Sequence, residues 1–196
     1  MEIEFNECKA IKRDRVGLIV ELQSKKNKKS VITVSNVHLD YKSNQVRETQ
    51  VLHLLKKLKE KGHPSSSKPL FLLGDFNSIP NSKTYDLIVN FSDCQVDEKK
   101  NENKKDFNNN KKKNNNKNPV QPSKFISSAY PSKTPHNELI CTSFFQDNKH
   151  IDFIFHNSLI SQVKSLLEPL MYYGSLPNDI HPSDHVPIKA TFSISK

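Results

Sequence analysis

Cysteine is sparse in this chain. Cys8, Cys94 and Cys141 stand far apart, and no C-x-x-C pair occurs. That excludes a zinc ribbon and a disulfide scaffold, and the three side chains read as reduced thiols of an intracellular protein. Long apolar runs are missing as well. None approaches the ~20 residues that span a bilayer, so no membrane span is expected. The first residues, Met1-Glu2-Ile3-Glu4-Phe5, lack the basic start and apolar centre of a secretion signal. A cytoplasmic address is expected, with the nucleus as the alternative. Glycine is limited to four residues and apolar residues to 34% of the 196, which is low for one compact domain.

Acidic charge is also in deficit, since 30 Lys and Arg against 21 Asp and Glu leave a net charge of +9. Part of the excess lies in an insert over residues 97–121. Its segment Asp97 to Asn118 is almost wholly Asn, Lys and acidic residues, with Phe107 the only large apolar side chain. Such a stretch cannot bury enough surface to offset its ordering entropy, so disorder is expected there. It reads either as a neutral surface insertion or as a basic arm for nucleic acid. It is no domain boundary, because candidate site residues lie on both sides of it. The basic charge outside the insert fits a polyanionic partner or an ordinary basic surface equally well.

The periodic segments alternate between types. Ile3 and Phe5 alternate with polar neighbours, and Gly17 to Leu22 and Val31 to Leu39 are β-branched runs joined by a polar hairpin loop. Val51, Leu54, Leu55 and Leu58 lie on one helical face, and Gly62 with Pro64 ends that helix. Leu70 to Leu73 reads as a buried strand. Ser82 to Val89 is a second helix with Ser82 as its cap. Ile151 to Phe155 and Pro187 to Ile194 are strands, whereas Val163 to Gly174 is mixed. The pattern predicts an α/β fold in one domain.

Four short motifs carry the chemistry, each beside an apolar run: Ser35-Asn36-Val37-His38-Leu39, Gly74-Asp75-Phe76-Asn77-Ser78, Ile151-Asp152-Phe153-Ile154-Phe155 and Pro182-Ser183-Asp184-His185-Val186-Pro187. Strand ends hold side chains rigidly, as phosphoester hydrolysis requires. Asp75 and Asn77 would share a face on a straight strand; the carboxylate can bind a hard cation or activate water, and the amide can donate to a phosphate oxygen. An Asx turn closing the strand is the alternative. Asp184 suits Mg²⁺ or Mn²⁺, and His185 suits acid, base or charge stabilisation, against a turn-capping Asp beside a solvated imidazole. Asp152 interrupts an apolar strand, so it either orients an imidazole or faces solvent. His38, with Asn36 two residues before it, ends a third strand, or is a buried histidine satisfied by a carbonyl. His136, His150, His156 and His181 lack comparable settings and are expected at the surface.

The ordered set resembles the endonuclease/exonuclease/phosphatase superfamily. Closer likeness is to its deadenylase-type group: the carbon catabolite repression deadenylases, nocturnin and the Angel proteins. It is carried by Arg13 to Leu22, Val46-Arg47 with Gln50, Asn77-Ser78-Ile79-Pro80-Asn81-Ser82, Ser128-Ala129-Tyr130 and Thr142-Ser143-Phe144. The resemblance implies a four-layer α/β sandwich of the deoxyribonuclease I type. It also implies a Mg²⁺-dependent (alternatively Mn²⁺-dependent) 3′→5′ exoribonuclease acting on the 3′ end or poly(A) tail of mRNA. By that resemblance Asp75 orients or deprotonates the attacking water, and Asn77 contacts the scissile phosphate. Asp184 helps hold the metal, His185 faces the phosphate and is held by Asp152, His38 also contacts the phosphate, and Asn36 supports the site. The family's earlier Asn motif and its Glu metal ligand in a Q-E motif have no counterpart here. The fold is therefore expected without its N-terminal part, and weak hydrolysis by this chain alone is expected. Two alternatives remain: a phosphatase or phosphodiesterase of the same fold on a lipid or nucleotide, and an inactive remnant that binds RNA or protein.

Overall fold

A computed structural model describes residues 2–4, 15–63, 68–91, 125–128, 141–144, 148–157, 159–166 and 176–194. The expected insert, His136, Cys8, Cys94 and the Ala129-Tyr130 stretch lie outside these residues. The element order is β1 (Glu2–Glu4), β2 (Val16–Gln23), β3 (Val31–His38), α1 (Asn44–Glu60), β4 (Leu70–Asp75), α2 (Lys83–Val89), β5 (Phe125–Ser128), β6 (Asp152–Asn157), β7 (Ile160–Leu166) and β8 (Lys189–Ile194). Six strands form one mixed sheet in the order β1-β2-β3-β4-β6-β5, and β7 pairs with β8 in a second sheet. The β2–β3 hairpin is antiparallel, as the two β-branched runs predict. β3 and β4 are parallel and are joined through α1.

Period-two alternation decides which side of the large sheet is covered. Ile19, Val37, Leu70, Leu72, Phe153 and Phe155 point to one face and are buried in one cluster with Val51, Leu54, Leu55 and Leu58 of α1 and Ile88 of α2. Each such aliphatic side chain contributes roughly 1.5–3 kcal/mol by leaving water. Phe76 and Tyr85 pack against Phe155 at ring-centroid distances of 5.1 and 5.5 Å, which ties α2 to β6. Ser43 caps α1, accepting from the Val46 amide. The helix ends when Gly62, at φ 85°, lets its own N–H reach Lys59 O and the His63 N–H reach Leu58 O. This paired C-terminal closure favours glycine, which has no Cβ to clash at positive φ.

The opposite face carries the alternate residues. Near the start of β4 and the end of β6 it is covered by the small sheet, where Phe192 of β8 meets Phe71 and His156 at centroid distances of 5.0 and 5.3 Å. Two histidines expected at the surface are in fact buried: His156 against this Phe192 contact, and His150 stacked on Phe153 at 4.5 Å. Phe192, distant in sequence, covers His156, whereas the ring on His150 belongs to Phe153 three residues along the chain. His181 is half-buried. Among the described residues, no helix is long and apolar enough to cross a membrane.

Candidate active site

Sheet register assembles the site. Cross-strand partners point to the same face. His38 of β3 pairs with Asp75 of β4, and Asp75 pairs with Asp152 of β6. One row across three adjacent strands therefore presents an imidazole and two carboxylates on the face away from the helices. Asn36 lies one row behind, opposite Leu73.

His185 enters this row from the loop before β8. That loop is pinned by main-chain bonds: Phe144 N–H donates to Asp184 O (2.8 Å), and Val186 N–H donates to Thr142 O (2.9 Å). The Ser183 hydroxyl accepts from the His185 N–H at 3.0 Å. The imidazole then reaches Asp152, with Nδ1 2.8 Å from Oδ2. An ionised carboxylate only accepts, so Nδ1 carries the proton and Nε2 turns toward Asp75 Oδ2, 3.8 Å away. His38 Nε2 lies 3.4 Å from the same oxygen, on a side chain 59% exposed where Asp75 is 14% exposed.

Electrostatics follow from this packing. Burial raises the Asp152 pKa and the Asp75 charge adds to it, while the Thr142 hydroxyl and His185 pull the other way. For His185 burial acts downward, but the Asp152 charge and hydrogen bond, with Asp75 and Asp184, carry the pKa above its ordinary value. The imidazole therefore favours its charged form between two carboxylates.

The strand does not continue straight through Asn77. Its φ is 48°, and its N–H donates to Asp75 Oδ1 at 2.8 Å, an Asx turn. Its side-chain amide lies 3.0 Å from Leu39 O and 3.3 Å from Asp75 Oδ2. Both neighbours are acceptors, so the amide hydrogens brace Asp75 and the turn rather than facing outward; the straight-strand expectation for this pair is corrected. Gly74 explains how β4 comes so close to β3: at φ 133° a Cβ would lie 1.9 Å from Val37 O and 2.9 Å from Asn36 Oδ1.

Ligand atoms of Asp75, Asp152 and His185 lie within 4.8 Å of one another. Asp184, the expected metal ligand, is half-buried beside this group and near enough for its charge to act on His185, but it is not a member of the group. The Asp75 charge adds to the rise of the Asp152 pKa, and a hard divalent cation between two such close carboxylates would relieve that repulsion. Thr142 is a residue whose part sequence reasoning did not assign. It is fully buried, and its Oγ1 accepts from the Ile151 and Asp152 N–H groups at 3.0 and 3.1 Å, fixing the carboxylate's backbone. Its presence in a family-like stretch is the signal that could have pointed to it. Cys141 next to it is a half-buried thiol whose pKa is raised by burial.

No protein-family profile matches the chain. Curated relatives do. The chain is 31% identical over 201 residues to the CCR4-Not complex 3'-5'-exoribonuclease subunit Ccr4 of Candida albicans, covering 94% of this chain and 24% of that protein. It is 28% identical to carbon catabolite repressor protein 4 homolog 4 of Arabidopsis thaliana, covering 95% of this chain and 43% of that one. These relatives support the deadenylase-type group of the endonuclease/exonuclease/phosphatase superfamily. Solved structures share the chain's fold, that of deoxyribonuclease I. ANGEL2, a 2',3'-cyclic phosphatase, superposes with a TM-score of 0.67 at 22% identity, over 98% of this chain and 65% of that one. The human nocturnin catalytic domain gives 0.60 at 18% identity, over 95% and 56%. The chain thus spans between about a quarter and two-fifths of the two curated relatives' length.

Proposed function

We propose that this chain carries the acid–imidazole centre of a Mg²⁺-dependent phosphodiesterase, and that it acts as a deadenylase-like 3′→5′ exoribonuclease on mRNA, in the cytoplasm or nucleus. The observation that carries this reading is the row His38–Asp75–Asp152, closed by His185. The exoribonuclease names of the curated relatives support RNA as substrate.

In this reading Asp75 orients water and takes its proton as the oxygen adds to phosphorus; the bond from phosphorus to the 3′ oxygen of the remaining RNA breaks, that oxygen takes a proton from water, and a nucleoside monophosphate leaves. Charged His185, held by Asp152, neutralises the developing negative charge, and His38 contacts a phosphate oxygen. Asn77 fixes Asp75, and Asn36 lines the row. Asp184 would help hold the cation beside the Asp75–Asp152 pair. When bound, it supplies Lewis-acid charge stabilisation and lowers the pKa of water.

The test is a 5′-labelled RNA with a 3′ oligo(A) tail, incubated with the chain and Mg²⁺ or Mn²⁺ and resolved on a gel. Slow, weak stepwise shortening that stops with EDTA and is lost in His185→Ala is the expected result. Tight RNA binding without cleavage, at any divalent concentration, would instead favour a non-hydrolytic binding role.

A further inference from the structure

The buried face of α1 is apolar from Val51 onward, but its first turns bury two polar side chains, Arg47 and Gln50. Aliphatic residues would fill both places if packing were the only demand. Each polar side chain also carries a cost, because Arg47 Nε and Gln50 Nε2 are buried without a partner among the described residues. What they gain is a clamp on one peptide segment. Gln50 Oε1 accepts from the Asp40 N–H at 2.9 Å, and Arg47 Nη1 donates to Asp40 O at 2.9 Å. Arg47 Nη2 also donates to Asn44 Oδ1. Asp40, 2% exposed, folds the next turn by accepting from Lys42 N–H and Ser43 N–H, both at 2.8 Å.

Leu39 is the residue before this clamped point, and it touches the site twice. Its N–H donates to Asp75 O at 2.9 Å, and its carbonyl accepts from Asn77 Nδ2 at 3.0 Å. A displacement of Asp40 would move Leu39 and release the amide that braces the Asp75 carboxylate. The Asp75 charge is also felt at the Arg47 guanidinium.

We propose that Arg47 and Gln50 are positioning residues: by gripping both main-chain groups of Asp40 they hold Leu39 O, and through it the Asn77 side chain and the aim of Asp75. The effect on turnover rests on the functional reading above; the mechanical coupling to Asn77 does not.

The full chain is used for both readouts. Nitrogen-15 NMR follows water exchange of the Asn77 side-chain NH₂, and oligo(A) shortening gives kcat and KM. Arg47→Met should speed that exchange by about tenfold or more. It should lower kcat about tenfold with KM within about twofold, the pattern of a lost transition-state contact. Arg47→Lys, which can still reach Asp40 O, should recover part of both. In an Asn77→Ala background, Arg47→Met should lower kcat no further. Gln50→Met, which removes one bond of the clamp, should give the same signature at smaller size and serves if Arg47→Met does not fold. A folded Arg47→Met or Gln50→Met protein with unchanged Asn77 exchange overturns the proposal. So do kcat losses that multiply in the Asn77→Ala background, since they would mean a general stability role. If the unsubstituted chain hydrolyses nothing, the functional reading fails, and the Asn77 exchange decides the clamp by itself.

Discussion

Replacing His150 with Phe should remove a pH-dependent weakness beside the site. His150 is 5% exposed, stacks on Phe153, and among the described residues makes no hydrogen bond of normal geometry at either ring nitrogen. Burial lowers its pKa to about 4 from an ordinary 6.5, and the Asp152 main chain offsets little of that. The unfolded chain therefore binds a proton at a pH where the folded chain does not, so stability is complete above about pH 6.5 and falls as the solution is acidified. Carried down to pH 4, the drop corresponds to about 3 kcal/mol. His63, buried 3.1 Å from Thr33 Oγ1 and also lowered, acts in the same direction, while the raised pKa values of His185 and Asp152 act oppositely. The difference between His150→Phe and the unsubstituted chain isolates the one residue. Any packing penalty of the larger ring is independent of pH and cancels from the slope. Urea unfolding at pH 7.5 and 4.5 measures it: the variant should lose less stability between the two by roughly 2–3 kcal/mol. Equal losses in both proteins would refute the claim that a buried neutral imidazole titrates on unfolding.

Gly74→Ala should destabilise by about 3 kcal/mol or more, because its Cβ meets the Val37 carbonyl and the backbone sits at positive φ; a chemical-denaturation midpoint near that of the unsubstituted chain would contradict it. Asp152→Asn should leave the circular dichroism spectrum unchanged and slow RNA shortening by roughly 10²–10⁴-fold, since the amide no longer holds the Nδ1–H form of His185. Thr142→Val should cost about 1–3 kcal/mol by leaving the Ile151 and Asp152 N–H groups unpaired, read from its thermal midpoint.

Much of this was legible because local periods agree with the fold. The β-branched runs became β2 and β3, Val51 to Leu58 became the inner face of α1, and Ser82 capped α2. His38, Asp75 and Asp152 stood out because each interrupts or ends an apolar run, which a strand tolerates only where the polar group has a task. Their adjacency follows from the resemblance and not from the residues: alternation gives a residue's face, but not which strand lies beside it. β5 and β7 went unread, the first because it is four residues long, the second because Ile160 to Leu166 mixes polar and apolar residues without clean alternation. The burial of His156 is not legible because its cover, Phe192, comes from a distant strand by tertiary packing; His150 stacks on Phe153 only three residues away, a local contact that periodicity does not reveal. Asn77 was read on a straight strand, although its own side chain and Asp75 favour the tight turn that forms.

The row at the heart of the site also sets when it can exist during synthesis. β3, α1 and β4 follow one another, so His38 and Asp75 can meet as soon as that unit closes. Asp152 arrives only after the long connection to β6, and His185 comes from the loop before the final strand. Lengthening that connection costs little, about 0.6 kcal/mol for each doubling, so material between β4 and β6 is easily accommodated. The last partner nevertheless follows Asp75 by 110 residues (185 − 75). A nascent chain on the ribosome would hold a folded helix and hairpin long before it held a working imidazole, and would emerge beside its own message with the centre still incomplete.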